Sequence, residues 1–362
     1  MSGLSQRDIP DLLNSLKGLF RVYSIELPDC PVFVTAALPT KPEVTGLFPR
    51  LPAGRGLTRA QATVSAAAEA IELIRSLAQN IPPAARAFEI RDGIAYVSCE
   101  NLSTGNREWI PAQRVYLDFA AVFSEPLLVA ADSNGCAVGG SRSDAVNRAL
   151  LECVERDAVA LWWYGRQSRN HFSLRLLDGA APRLSWWLGD RARHTILIDV
   201  SSDLGIPVVA AASAEPDGTG VALGSAAASN VADAALSAVT EMIQTEASMA
   251  MGDAAQNVDL QDWVANASTR SMPQFKPAGE ADPESRARPT SPLETVKRAG
   301  HPIQFIDLTL DADVVASVRV IVPGLCALRG NFDTERILRH CRDNPQFNGI
   351  TSADQVEVLE PY

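Results

Sequence analysis

The sequence has few of the residues that build disulfide-bonded or zinc-bound scaffolds. Its six cysteines in 362 residues form no C-x-x-C pair and no regular spacing, so we expect neither a disulfide framework nor a zinc site. Nowhere does the chain hold about 18 consecutive apolar residues, the minimum for a membrane-spanning helix. The opening segment MSGLSQRDIPDLLNSLKGLF contains acidic residues and no continuous apolar core, which argues against a signal peptide. These absences predict a cytoplasmic protein that does not bind membranes.

Charge and nucleotide-binding motifs narrow the function classes further. The formal net charge of −11 gives no bulk attraction for nucleic acid, whereas ATP binding needs only a local cation site. The sequence has neither the Walker pattern G-x-x-x-x-G-K-[ST] nor the dinucleotide pattern G-x-G-x-x-G, so neither a P-loop nor a Rossmann site is expected. A hydrophobic content of 46% and a charged content of 21% are ordinary for a globular enzyme with one large domain or two smaller ones.

The stretch around which the sequence is organised covers residues 133–166. Glycine-rich, strand-like residues lead there into an amphipathic helix that we predict over 141–165. Glu152 and Glu155 are three residues apart on this helix, so both carboxylates project from roughly one side. Two like charges in this position repel each other unless they share a cation such as Mg²⁺ or face Arg156. The alternative interpretation is a solvated charged face.

Two further predicted helices carry polar residues at the same kind of spacing. The members of these sets are Ser65, Glu69 and Glu72 on a helix over 58–78, and Glu241 with Gln244 on a helix over 230–249. Residues three and four apart are neighbours on one helix face. Each set is either an ordinary polar face or part of a shared cation site, since Mg²⁺ prefers oxygen ligands.

Apolar periodicity and turn residues predict an α+β fold for the chain. The expected strands cover 22–27, 31–36, 94–99, 109–111, 115–117, 127–129, 195–200, 207–213, 303–308 and 316–322. Shorter helices are expected over 6–19 and 293–301. Residues 265–292 are rich in Pro, Ser, Ala and charged residues and almost without candidate core residues, which predicts a mobile surface segment.

The three helix motifs together resemble the YcaO family of ATP-dependent enzymes that modify peptide backbones. Two family patterns, S-x-G-x-A-x-G and E-x-x-E-R, are filled by Ser133, Gly135, Ala137 and Gly139, and by Glu152, Glu155 and Arg156. A G-R-G turn followed by S-x-x-x-E-x-x-E resembles a second family motif, and the run ALSAVTEMIQ resembles a third. The chain departs from the family's usual basic residues at Arg55, Leu73, Ser237 and Glu246. Arg55 still provides a cation for phosphate oxygens.

The resemblance implies a YcaO-like α+β domain with mixed or antiparallel sheets and helices around a central cleft for ATP and Mg²⁺. It places N-terminal elements in residues 1–50 and the catalytic domain in 51–362. The implied metal ligands are Glu69, Glu72, Glu152, Glu155 and Glu241. The implied nucleotide contacts are these five with Arg55, Ser65, Arg156 and Gln244. Among them the resemblance gives catalytic roles to Arg55, Glu155 and Arg156.

The resemblance also implies an azoline-forming cyclodehydratase subunit that acts on a ribosomal precursor peptide. The expected partners are that peptide, a separate leader-binding or E1-like protein, a dehydrogenase subunit and a second copy of the chain, with no nucleic acid. A thioamide- or amidine-forming enzyme, a catalytically silent YcaO-like scaffold and an unrelated α/β enzyme with surface carboxylates remain alternatives. The chain ends in VEVLEPY without a P-x-P repeat, so the proline-rich tail of many azoline-forming members does not carry over.

Overall fold

Helices and strands alternate along the computed structural model, which describes residues 9–40, 51–82, 86–251, 258–286, 291–311, 313–327 and 334–341. The helices are α1 (Ile9–Ser15), α2 (Arg59–Ser76), α3 (Phe119–Phe123), α4 (Arg142–Tyr164), α5 (Pro182–Asp190), α6 (Val231–Ala250), α7 (Val258–Asn266), α8 (Pro292–Arg298) and α9 (Thr334–Cys341). The strands are β1 (Phe20–Ile25), β2 (Phe33–Pro39), β3 (Ala53–Gly56), β4 (Glu89–Arg91), β5 (Ile94–Asn101), β6 (Arg107–Pro111), β7 (Cys136–Gly139), β8 (Arg169–Phe172), β9 (His194–Asp199), β10 (Val208–Ala214), β11 (Ala222–Ala227), β12 (Pro277–Glu280), β13 (Gln304–Asp307) and β14 (Ala316–Ile321). The predicted α+β class is confirmed.

The chain divides into two structural units that are interleaved in sequence. The first unit contains Met1–Glu26, Phe33–Cys153 and Val296–Pro323, and the second contains Leu27–Val32, Val154–Thr295 and Gly324–Tyr362. The N-terminal half of α4 therefore belongs to the first unit and its C-terminal half to the second. The predicted domain boundary at residue 50 stays a prediction. Within the described residues, no helix is long and apolar enough to cross a bilayer.

The first unit contains two antiparallel sheets. One has the strand order β1-β2-β3, and the other has the order β4-β5-β13-β14-β7, with β6 also paired to β5. The hairpin β13–β14 thus lies between β5 and β7, although about 165 residues separate β7 from β13 in the sequence. A buried apolar cluster in this unit contains Leu12 of α1, Leu16 just after α1 and Ile71 of α2.

A capping box forms the N-terminus of helix α2. The Thr58 hydroxyl accepts a hydrogen bond from the Gln61 N–H, and the Gln61 side chain accepts one from the Thr58 N–H, which satisfies two amide donors of the helix start. The preceding strand β3 packs directly on the helix backbone at Gly54. A Cβ at this position would lie 2.0 Å from the Ala66 nitrogen, so only glycine allows this approach.

Gly54→Ala is expected to destabilise the protein by about 3 kcal/mol or more, because the added methyl group meets helix backbone that cannot rotate away. Chemical denaturation monitored by circular dichroism measures this change. The matched control is Gly189→Ala in α5, where a Cβ would meet nothing within 4 Å. That control is expected to stabilise the protein by up to about 1 kcal/mol, the difference in helix propensity. Equal stabilities of the two variants would contradict the close approach.

The second unit contains a five-stranded sheet with the order β11-β10-β9-β8-β12. Its pairs are antiparallel except the parallel pair of β8 with β12. The C-terminal end of α4 is anchored in this unit by Trp162 and Trp163, which are fully buried. Trp163 packs against Trp263 of α7 with ring centroids 5.5 Å apart and against Phe275 at 5.7 Å.

Three expectations from the sequence are wrong in detail. Residues 115–117 and 127–129 are not strands: 115–117 lie between a short 3₁₀ helix over Ala112–Arg114 and α3, and 127–129 have no regular secondary structure. The reason is tertiary, since Phe88 packs against Phe119 of α3 with ring centroids 5.2 Å apart, and short apolar runs do not distinguish strand from helix. Within the described part of 265–292, Gln274 and Phe275 are buried and β12 joins the sheet, so this segment contributes to the core.

Candidate ATP and magnesium site

The first group of predicted site residues lies around β3 and α2 in the first unit. Glu69 Oε2 accepts a hydrogen bond of 3.2 Å from the Ala53 N–H at the start of β3. Arg55 lies two residues further along that strand and is partly exposed. The Ser65 backbone packs against Gly54. The structure therefore brings Arg55, Ser65 and Glu69 together at one strand of the sheet.

Glu72 connects α2 to the strand before the central helix. Its Oε1 accepts a hydrogen bond of 2.9 Å from the Val138 N–H in β7. Burial raises the pKa of the Glu72 carboxyl well above its usual value, and the neighbouring Glu152 carboxylate raises it further. The Val138 N–H acts in the opposite direction, Glu69 raises the pKa again, and Arg148 lowers it. Glu72 is therefore a carboxyl group held among like charges.

Glu152 contacts the glycine-rich turn that precedes β7. Its Oε2 accepts a hydrogen bond of 3.2 Å from the Gly135 N–H. Gly135 has φ +77°, and a Cβ there would lie 2.0 Å from the Val320 carbonyl oxygen, so this position requires glycine for two independent reasons. Val320 of β14 also accepts a weak bond from the Cys153 thiol at 3.7 Å. Cys153 is 3% exposed and acts as a small buried apolar side chain.

A buried arginine holds the same glycine-rich turn from β14. Arg319 donates to the Asp132 carbonyl oxygen at 2.7 Å and to Asp132 Oδ1 at 3.1 Å, and the Val320 N–H donates to the Gly135 carbonyl oxygen at 2.8 Å. These contacts fix the direction of the Gly135 N–H that Glu152 accepts. Sequence reasoning did not identify Arg319, because its partner Asp132 is 187 residues away in the chain.

The second group of predicted site residues lies around β11 and α6 in the second unit. Glu155 Oε1 accepts a hydrogen bond of 2.7 Å from the Ser225 hydroxyl in β11. The preceding residue of that strand, Gly224, packs on the α6 backbone, where a Cβ would lie 2.9 Å from the Glu241 carbonyl carbon. Gln244 follows Glu241 by nearly one turn of α6, and both are partly exposed. Glu155 therefore contacts Ser225 of β11, and the Glu241 backbone lies beside the neighbouring residue Gly224.

The two groups are built on similar hairpin–helix arrangements. In each, the last strand of an antiparallel hairpin carries a glycine that packs on the backbone of the following helix, Gly54 on α2 and Gly224 on α6. In each, the residue before that glycine contacts a side chain of the helix: Ala53 donates to Glu69, and Leu223 accepts from Thr245. The residue after the glycine is Arg55 in the first arrangement and Ser225 in the second. Ser225 therefore occupies the position that corresponds to Arg55.

Glu246, one of the departures from the family pattern, contacts basic and hydroxyl side chains of the second unit. Its Oε2 accepts from Arg191 at 2.8 Å, and its Oε1 accepts from the Ser213 hydroxyl. Arg193 approaches Glu246 to 3.6 Å. Since Arg191 and Arg193 of the loop before β9 and Ser213 of β10 converge on this carboxylate, it stabilises the sheet-to-helix packing here.

The carboxylates suit Mg²⁺ in chemistry but are not arranged as a preformed cage. Carboxylate oxygens are the ligands this cation prefers, and the like-charge group of Glu69, Glu72 and Glu152 would be relieved by a divalent cation. Within the described residues, however, no three acidic, histidine or cysteine side chains lie close enough together to hold a metal ion. Each of the three carboxylates instead accepts a backbone N–H. Metal binding therefore requires side-chain rearrangement or oxygen ligands from the nucleotide.

Comparison with known families decides the relationship. The family model described as YcaO cyclodehydratase, ATP- and Mg²⁺-binding, matches residues 76–326, more than half of the chain. The chain belongs to the YcaO family. The family assignment expected from the sequence is thus confirmed, and ATP and Mg²⁺ are the cofactors of this family.

Solved structures of YcaO proteins share this fold. YcaO from Methanopyrus kandleri, bound with AMPPCP and Mg²⁺, aligns with a TM-score of 0.68 and 25% identity, over 89% of this chain and 90% of that one. A heterocyclase in complex with substrate and cofactor aligns with a TM-score of 0.76 and 21% identity, over 91% of this chain. The chain spans only 53% of that heterocyclase.

Two further proteins are similar to this chain. A chain of the E. coli microcin synthetase McbBCD complex aligns with a TM-score of 0.62 and 14% identity, over 84% of this chain and 88% of that one. An uncharacterised protein of Methanothermobacter thermautotrophicus is 24% identical over 332 residues, which are 81% of this chain and 85% of that protein. At these identities the likeness shows the fold alone.

Proposed function

We propose that the protein is an ATP-dependent cyclodehydratase subunit that converts Cys, Ser or Thr residues of a ribosomal precursor peptide into azoline rings. The observation that carries the proposal is the buried carboxyl of Glu72 on a motif helix of a YcaO chain, whose pKa is raised by burial and further by the neighbouring Glu152 and Glu69 carboxylates. The heterocyclase and microcin synthetase relatives support the azoline product.

The proposed chemistry needs positioning and charge neutralisation more than a protein nucleophile. A side-chain thiol or hydroxyl of the substrate attacks the preceding peptide carbonyl carbon, and the adduct's oxygen is a poor leaving group. When bound, Mg·ATP supplies the phosphoryl group that converts this oxygen into departing phosphate. We propose that Glu69, Glu72 and Glu152 bind Mg²⁺ and that Arg55 neutralises phosphate charge, with Ser65 donating to a phosphate oxygen.

The residues of the second unit have complementary proposed roles. Arg156 on α4 provides a second guanidinium for phosphate oxygens, which it can bind through two parallel hydrogen bonds. Glu155 and Glu241 add carboxylate ligands, and Gln244 offers an amide for the nucleotide. Ser225 donates its hydroxyl hydrogen bond to Glu155, so it restricts the rotamers of that carboxylate.

Mass spectrometry of a precursor peptide encoded beside this protein tests the proposal. Incubation with the protein, ATP, Mg²⁺ and co-encoded leader-binding partners is expected to remove one water per modified Cys, Ser or Thr. The same incubation with Glu155→Gln is expected to leave the peptide unchanged. Exchange of oxygen for sulfur with added sulfide would replace the azoline proposal by thioamidation. An unmodified peptide together with absent Mg·ATP binding would identify a silent scaffold.

A further inference from the structure

A buried ion pair joins the C-terminal helix α9 to the central helix α4 within the second unit. Asp157 of α4 is fully buried, and its two carboxylate oxygens accept from Arg336 Nε at 2.6 Å and Arg336 Nη2 at 2.7 Å. This is the bidentate geometry in which a guanidinium holds a carboxylate most rigidly. Asp157 Oδ1 also accepts from the Cys326 N–H at 2.9 Å. The donors of these three hydrogen bonds all belong to the C-terminal part of the chain.

Arg336 is held in place from more than one side. Its Nη2 donates to Asp203 Oδ1 at 2.7 Å, although Asp203 is largely exposed and this second pair contributes little. The next residue of α9, Ile337, is 1% exposed and packs in the core. The helix is thus fixed by an apolar contact and by one buried charge contact, which substitutions can separate.

Asp157 lies on the same turn of α4 as two of the motif residues. Asp157 directly follows Arg156 and lies two residues after Glu155, the residues for which a role at ATP is proposed. The family model ends at residue 326, so Asp157 lies inside the matched region and Arg336 outside it. A residue beyond the family's matched region therefore restrains the helical turn that carries two motif side chains.

We propose that Arg336 is a positioning residue that fixes the Glu155–Arg156 turn of α4 for Mg·ATP through its bidentate contact with Asp157. The inference rests on the proposed function, because it assigns the roles of Glu155 and Arg156 from there. Removal of the guanidinium leaves a buried carboxylate with one backbone donor. That carboxylate must then recruit water or another donor, and either change moves the turn.

Arg336→Gln is expected to weaken Mg·ATP binding, measured by titration calorimetry, about 10- to 100-fold, the range found when outer-sphere partners of a ligand site are removed. Arg336→Lys keeps the charge but not the two parallel bonds, so it is expected to restore part of the loss. Ile337→Ala on the same helix is the control for loosened packing, and Arg339→Gln removes an exposed pair with Glu335. Both controls are expected to bind Mg·ATP within about threefold of the unchanged protein.

Two further readouts distinguish positioning from simple destabilisation. Hydrogen exchange without nucleotide is expected to accelerate over residues 154–158 in Arg336→Gln more than in Ile337→Ala. Asp157→Asn and Arg336→Gln are also combined in a double variant. Its loss of Mg·ATP affinity is expected to be no greater than the larger of the two single-variant losses, because the two residues act through one contact. Equal losses in Arg336→Gln and Ile337→Ala, or additive losses in the double variant, would overturn the inference.

The same experiments separate the inference from the proposed function. If the unchanged protein binds no Mg·ATP, the proposed function fails, and a Glu155→Gln variant will show the same result. If the unchanged protein binds Mg·ATP and Arg336→Gln binds it equally well with unaltered exchange over residues 154–158, the inference alone fails.

Discussion

Glu152→Gln is expected to lower Mg²⁺-dependent ATP turnover about 100-fold or more while leaving the fold intact. The new amide oxygen can still accept the Gly135 N–H that Glu152 now binds at 3.2 Å, so the glycine-rich turn keeps its contact. What the variant loses is the negative charge, and metal binding depends on that charge because carboxylate ligands act in their ionised form. Phosphate release during steady-state turnover, with and without Mg²⁺, measures the effect.

Glu100→Gln is the matched control for this substitution. Glu100 lies in the same unit and pairs with Arg142 at the start of α4, but both side chains are about half exposed. Such pairs contribute little to stability, so turnover and the melting temperature are expected to stay close to those of the unchanged protein. Undiminished ATP turnover in Glu152→Gln, or an equal loss in Glu100→Gln, would refute the assignment of Glu152 to the metal group.

Glu72→Gln is expected to stabilise the nucleotide-free protein at neutral pH and to remove its stabilisation by Mg·ATP. Burial and the neighbouring carboxylates raise the folded-state pKa of Glu72 above its unfolded value, so the folded protein retains a proton that the unfolded chain releases. The free energy of unfolding therefore falls as the pH rises from the unfolded pKa through the folded pKa. The variant lacks this titration, and its advantage is expected to grow with pH and vanish in acid.

Thermal unfolding at several pH values, with and without Mg·ATP, measures both effects. Ligand at 100 times its dissociation constant is expected to stabilise the unchanged protein by about 2.7 kcal/mol, and Glu72→Gln by much less. Glu108→Gln provides a control of opposite sign, because hydrogen bonds from Asn101 and Gln304 lower the pKa of Glu108. Loss of the Glu108 carboxylate is expected to destabilise the protein at pH values above the pKa of Glu108 in the unfolded chain. In strong acid the substitution is expected to have no effect. A Glu72→Gln variant less stable than the unchanged protein at pH 8 would contradict this account.

The helix bounds predicted from the sequence, 58–78, 141–165 and 230–249, lie within two residues of those of α2, α4 and α6. The capping box at Thr58 and the N-cap at Asn230 mark the first residues of α2 and α6, and the Ser141 hydroxyl accepts from the Asp144 N–H at the start of α4. These signals act over three or four residues, so they need no knowledge of the fold. The acidic pairs follow from the same spacing, although their assignment to ATP and Mg²⁺ came from the family resemblance. Their individual roles stay predictions.

What the sequence could not predict depends on residues that are distant along the chain. Two of the carboxylates accept hydrogen bonds from backbone N–H groups of strands, at Ala53 and Val138. Because every residue except proline has a backbone N–H, such a donor cannot be recognised from the residue type. Arg336 and Asp157 are 179 residues apart, so only the folded chain brings them together. The failure over 115–117 has the same origin, since packing around Phe119 decided the local conformation.

The insertion of β13–β14 between β5 and β7 has a consequence for how the protein is made. On the ribosome, β5 and β7 emerge long before residues 304–321, which supply the strands between them. The first unit's larger sheet therefore stays incomplete until almost the entire second unit has been synthesised. Separate expression of an N-terminal fragment ending before residue 304 would expose the unpaired edges of both strands, which are sites for aggregation. The protein is therefore best produced and engineered as one chain.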